Sequence, residues 1–160
     1  MDLDILSDAF FAALAAIGFS SISRLPLRAY PYCAAIAALG HSLRYLLMMR
    51  PVPGFHIFWA SLLASFLIGL MAVMISSRTR TPAEAYFFPA LLPMIPGMYA
   101  YRAFGALAVC VLNDNPDTFG YYFYQAASNG FVCMAVLIAM VTGATLPIFI
   151  FKKISFQATR

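Results

Sequence analysis

The chain has 160 residues, of which 63% are apolar and 10% charged, with a mean hydropathy of +0.84 and a formal net charge of +4. An ordinary soluble domain is about 25% charged, so this composition argues against one and predicts an all-α integral membrane protein. The basic residues lie at the ends of apolar runs, where membrane topology accounts for them, and they give no indication of nucleic acid.

Runs of 18 or more apolar residues read as membrane spans, and about five are expected here, over residues 1–160 as a single transmembrane domain. The opening Met1-Asp2-Leu3-Asp4 lacks the basic region of a signal peptide, so the first run, residues 5–23, is read as a retained span. Its alanines and Gly18 let a neighbouring helix approach closely. After the basic turn Arg24-Leu25-Pro26-Leu27-Arg28, a second span is expected over residues 30–49, ended by the breakers Arg50-Pro51-Val52-Pro53-Gly54. The third, residues 55–76, carries Trp59 at an interfacial position and a small-xxx-small pair, Ser65 and Gly69, suited to helix packing.

The fourth span, residues 86–112, is unusual. Its first part reads YFFPALLPMIPGMYAYR and holds Pro89, Pro93, Pro96 and Gly97. Each proline removes a backbone donor and disfavours the helical region for the residue before it. The stretch Pro93–Gly97 therefore predicts a helix that stops and restarts. Broken backbone at membrane depth is tolerated where it is buried in protein or lines a watery cavity, and interrupted helices form binding sites in many transporters. A kinked helix without a ligand is the other reading of the same prolines.

An acidic loop, Asn113–Asp117, leads to a fifth span over residues 121–151, closed by Lys152 and Lys153. The three cysteines lie inside apolar runs with no CxxC spacing, which predicts free thiols and no metal site; no cofactor is expected. Arg24, Arg28, Arg78, Arg80, Lys152, Lys153 and Arg160 fall on one side of a five-span layout, and Arg50 with Asp2, Asp4, Asp114 and Asp117 on the other. The positive-inside rule makes the first set cytoplasmic, with the N-terminus outside.

Four ionisable residues fall within these spans: Asp8, His41, Arg44 and Arg102. A charge at the centre of a helix in lipid costs at least ~2.5–3.5 kcal/mol, so each needs a partner or water. Arg44 lies within about 9 Å of the outer end of its span and either snorkels or meets a ligand. His41, deeper on the same face, is either a hydrogen-bonded neutral ring or part of a proton or ligand site. Arg102 lies about 15 Å in, near the midplane, and is the strongest single candidate. Asp8 is a counter-ion for Arg44 or Arg102, or an interfacial residue. Two arginines against one aspartate favour an anionic solute, held by guanidinium geometry or by the helix N-terminus at Pro96-Gly97. Asn129 contributes a polar group at similar depth, for a solute or for an interhelical hydrogen bond.

The order Pro26-Leu27-Arg28-Ala29, Cys33, Gly40-His41-x-x-Arg44 with Leu47-Met48, then Phe88-x-x-x-Leu92-Pro93-Met94-Ile95-Pro96-Gly97 and Tyr101 resembles the small membrane subunit of the threonine/serine exporter family in its split form. The resemblance implies a bacterial inner-membrane location, export of a small carboxylate metabolite such as succinate, threonine or serine, and a larger membrane subunit as partner. The positive-inside rule already puts Arg28 at the cytoplasmic side. Single-chain members carry the equivalent of the partner at their N-terminal end. Arg102 matches no motif of the family and rests on depth alone. No acid/base pair, nucleophile or phosphate loop points to an enzyme. A membrane scaffold that stabilises its partner without transporting is the alternative reading.

Overall fold

The computed structural model describes residues 2–49, 56–113 and 115–151. Six α-helices account for nearly all of them: α1 (Asp2–Ile22), α2 (Tyr30–Met49), α3 (Ile57–Thr79), α4 (Glu84–Leu91), α5 (Gly97–Leu112) and α6 (Pro116–Ile150). Single 3-10 turns, Leu27–Ala29 and Leu92–Met94, precede α2 and follow α4. No strand occurs among the described residues. Four stretches are long and apolar enough to cross a membrane, and five if α4 and α5 together make one span.

The helices match the expected spans with shifted ends. Helix α3 begins at Ile57 and runs to Thr79, and α6 starts at Pro116, ahead of the expected 121. The breakers 50–54, Asp114, Lys152, Lys153 and Arg160 lie outside the described residues, as does the side chain of Asp2.

The helix over the expected fourth span is interrupted, as its prolines predict, and the interruption falls at Leu92–Pro96. Pro89 does not end α4, because the helix continues to Leu91. Pro96 adopts φ −76°, ψ 61°, and the Gly97 N–H donates to the Ile95 carbonyl at 2.7 Å. This is an inverse γ-turn. Helical bonding then starts afresh, with the Tyr99 and Ala100 N–H groups donating to the Pro96 carbonyl.

The chain divides into two compact units, residues 1–94 with 139–160, and Ile95–Ile138. In the first, α2 packs against α1, α3 and α4, and α4 also meets α1 and α3. Small residues set these distances. A Cβ on Gly40 of α2 would run into the Ile68 side chain of α3, and one on Gly69 of α3 would strike the Ala144 carbonyl of α6. A Cβ on Gly143 would collide with Ser65 Oγ and the Leu62 backbone. Ser65 and Gly69 thus form the face on which the end of α6 lies, and Ser65 Oγ also reaches the Ala139 carbonyl at 3.4 Å. Close approach of this kind is how helices associate in lipid, which offers no hydrophobic drive between them.

The second unit holds α5 and the first part of α6. The Cys110 thiol contacts the Phe119 carbonyl at 3.8 Å, and Phe119 stacks on Phe123 with centroids 5.8 Å apart. Ala100, Ala103, Leu107, Ala127, Gly130 and Met134 are among the residues lining an apolar groove of about 370 Å³.

Candidate solute site

In the first unit, α1 and α2 form an antiparallel hairpin about the turn at Arg24–Pro26. Residues equidistant from that turn come level with each other. Asp8 and His41 are such a pair, and His41 Nδ1 lies 3.0 Å from Asp8 Oδ2. Their side chains are 34% and 17% exposed. The structure therefore gives Asp8 a histidine as its partner, where the charge count suggests an arginine. Hairpin register decides this, and it is invisible to a count of charges. In a neutral ring, Nδ1–H donating to the carboxylate leaves Nε2 as an acceptor. That nitrogen is buried and has no partner among the described residues. An unsatisfied buried polar atom costs about 1–3 kcal/mol, so the position is ready for a proton or a donor from a ligand.

One turn along α2, Arg44 Nη1 donates to the Met94 carbonyl at 2.6 Å. Met94 ends the 3-10 turn within the break. In a continuous helix its carbonyl would accept from Met98, but helical bonding is reset at Pro96. Arg44 thus reaches into the broken backbone, and its alternative of snorkelling away from the protein is not what is observed.

A second carbonyl on α4 is treated in the same way. Pro89 has no N–H to offer Ala85, four residues back. The Cys33 thiol of α2 lies 3.9 Å from the Ala85 oxygen. Neighbouring side chains re-satisfying proline-freed carbonyls is what allows prolines in membrane helices. The sequence does carry this signal, a polar atom on one span facing a proline on another, but only once helix register is known. Ser61 Oγ is a further buried atom with no partner among the described residues.

The remaining candidates stand apart from this cluster. Arg28 lies exposed in the 3-10 turn between α1 and α2. In the second unit, Pro96 is buried and Gly97 exposed at the start of α5. Arg102 is exposed on α5 and has no hydrogen-bond or ion-pair partner among the described residues. Asn129 Nδ2 donates to the Gln125 carbonyl at 2.7 Å, one turn back on its own helix. That replaces the interhelical bond expected for it, because a side-chain amide can bond its own preceding turn. The cysteines are free thiols, and no cluster of metal-ligating side chains occurs among the described residues.

A family model described as "Threonine/Serine exporter, ThrE" matches residues 8–150. The chain belongs to the threonine/serine exporter family. The match takes in Asp8, His41 and Arg44, and it makes the chain a multi-pass membrane protein of an exporter family. An uncharacterized protein of Haemophilus influenzae is 35% identical over 152 residues, which cover 94% of this chain and 49% of the relative. The chain therefore spans about half the length of the curated relative it matches. No solved structure matches it.

Proposed function

We propose that this member of the threonine/serine exporter family is the membrane subunit of a bacterial secondary exporter for a small carboxylate metabolite, succinate or threonine/serine, and that it works with a larger membrane partner. The observation that carries this reading is the Asp8–His41 pair set one turn from Arg44, whose guanidinium reaches the carbonyl of Met94 at a break in the fourth span. Charged groups inside membrane spans are expensive and mark solute and proton pathways. Arg44 supplies a planar donor set matched to a carboxylate. The His41 Nε2 position offers a site for a proton. Arg102, Pro96, Gly97 and Asn129 are further candidate contacts, and Arg28 marks the cytoplasmic end. The process is transport, with no bond made or broken.

The larger membrane partner is carried over from the resemblance to the split form of the family, and the matched stretch is 49% of the Haemophilus influenzae relative. Asp8 is engaged by His41, which leaves this chain poor in carboxylates for the ammonium of an amino acid and favours a dicarboxylate. The inner membrane is proposed as the location, with the exposed Arg24, Arg28, Arg78 and Arg80 facing the cytoplasm.

Efflux of succinate, threonine and serine from cells carrying the complete exporter tests this. Arg44→Ala and His41→Ala are expected to lower efflux of at least one solute roughly tenfold, about 1.4 kcal/mol in barrier, at normal membrane abundance. Unchanged efflux in both, or loss that follows abundance alone, would favour a scaffold role.

A further inference from the structure

The chain repeats itself. Ser20–Tyr30 reads SSISRLPLRAY and Ser76–Tyr86 reads SSRTRTPAEAY, a constant 56 residues apart. Serine, arginine, proline, alanine and tyrosine recur in register, and the match extends upstream through Phe10/Phe66, Leu14/Leu70 and Ala16/Ala72. The backbone repeats with it. Arg24 and Arg80 are the only described non-glycine residues with positive φ, at 53° and 54°. Left-handed backbone is disfavoured outside glycine, so two arginines placed there in register are not coincidental. Each is followed by a proline whose carbonyl accepts from the alanine three residues on, Ala29 at 2.8 Å and Ala85 at 3.1 Å. Ala16 and Ala72 are fully buried, as are Ser20 and Ser76.

Packing shows the same duplication. Helix α1 meets α2 and α3 meets α4, α2 meets α3 as α4 meets α1, and α2 and α4 also meet each other across the middle. One departure falls in the second helix of each copy: α2 continues unbroken through Ile36–Gly40, whereas the equivalent Leu92–Pro96 is the break.

We infer that residues 2–38 and 58–94 are two like-oriented repeats, and that the seam between α2 and α4 is the solute path, closed in this structure at both ends. Parallel repeats about an axis along the membrane normal are one of the ways transporters are built, with the solute bound at the interface between repeats. The seam has the matching chemistry. At one end Tyr32 meets Tyr86 edge to face, with centroids 6.1 Å apart, and Cys33 contacts the Ala85 carbonyl. At the other, Arg44 holds the Met94 carbonyl. Both carbonyls lack a helical donor, so a carboxylate that draws Arg44 away loosens the seam at its broken helix. The path rests on the exporter reading; the repeat does not.

Cross-linking tests the path in the complete exporter. Cys110 and Cys133 are replaced by serine, native Cys33 is kept, and Ala85→Cys is added; a second pair, Tyr32→Cys with Tyr86→Cys, is joined by a short bifunctional thiol reagent. Cross-linking either pair is expected to lower efflux at least tenfold, with recovery on reduction of the Cys33 bridge. Efflux that survives a completed cross-link overturns the path, and so does failure of both pairs to cross-link. If the reduced exporter releases neither succinate, threonine nor serine, the exporter reading itself fails. The repeat is read separately, by labelling Ser23→Cys and Thr79→Cys with a membrane-impermeant maleimide. Reaction from one and the same side is expected; reaction from opposite sides overturns it.

Discussion

Arg44 and His41 share one face of α2 and do different things. His41 is held by Asp8 through one nitrogen and leaves the other unpartnered among the described residues. Arg44 places a full charge against a carbonyl that the break has stripped of its donor. A lysine there keeps the charge but not the fork of five N–H groups. Arg44→Lys is expected to retain part of the efflux lost in Arg44→Ala, with normal abundance in the membrane. Equal loss in both would show that planarity is required, and equal retention that charge alone suffices. Asp8→Asn removes the charge facing His41 while keeping its shape. Efflux in this variant is expected to fall roughly tenfold, about 1.4 kcal/mol, at normal membrane abundance. Unchanged efflux would take the pair out of the transport path.

The break owes its form to prolines at two positions. Pro93 and Pro96 together remove the donors that would continue α4 into α5. Replacing both with alanine is expected to lengthen the helix, raise the Tm of the purified protein and abolish efflux. A raised Tm with full efflux would separate the break from transport. Packing glycines make a contrasting case. Gly143→Leu forces a side chain into Ser65 and the Leu62 backbone, and overpacking costs about 1–3 kcal/mol. Loss of membrane abundance is expected, measured by immunoblot against Gly18→Leu, where an added Cβ meets nothing within 4 Å. Much of this is readable from residue order. Prolines spaced three and four apart announce a break wherever they fall, and Ser65 with Gly69 announces a packing face. Pro89 shows the limit: it sits in α4 without ending it, because Cys33 on another helix covers the carbonyl it frees. Local rules cannot see that compensation.

The all-helical membrane architecture and the interruption at Leu92–Pro96 follow from hydrophobic runs and prolines, which act along the chain. The pairing of Asp8 with His41 depends on how α1 and α2 register about Arg24–Pro26, and a count of charges carries no register. Arg102 draws its interest from depth in a span; the structure shows it exposed on α5, and removing it tests whether depth alone was a sound guide. Arg102→Ala is expected to reduce solute affinity, seen as a higher concentration for half-maximal efflux. An unchanged value would remove it from the path. Release of labelled succinate, threonine or serine from vesicles reconstituted with this chain and its larger partner puts the exporter reading to the most direct test. Release of one of them that needs both chains, and that falls at least tenfold with Arg44→Ala, is the expected result; release no faster than from empty vesicles, or undiminished by Arg44→Ala, would contradict it.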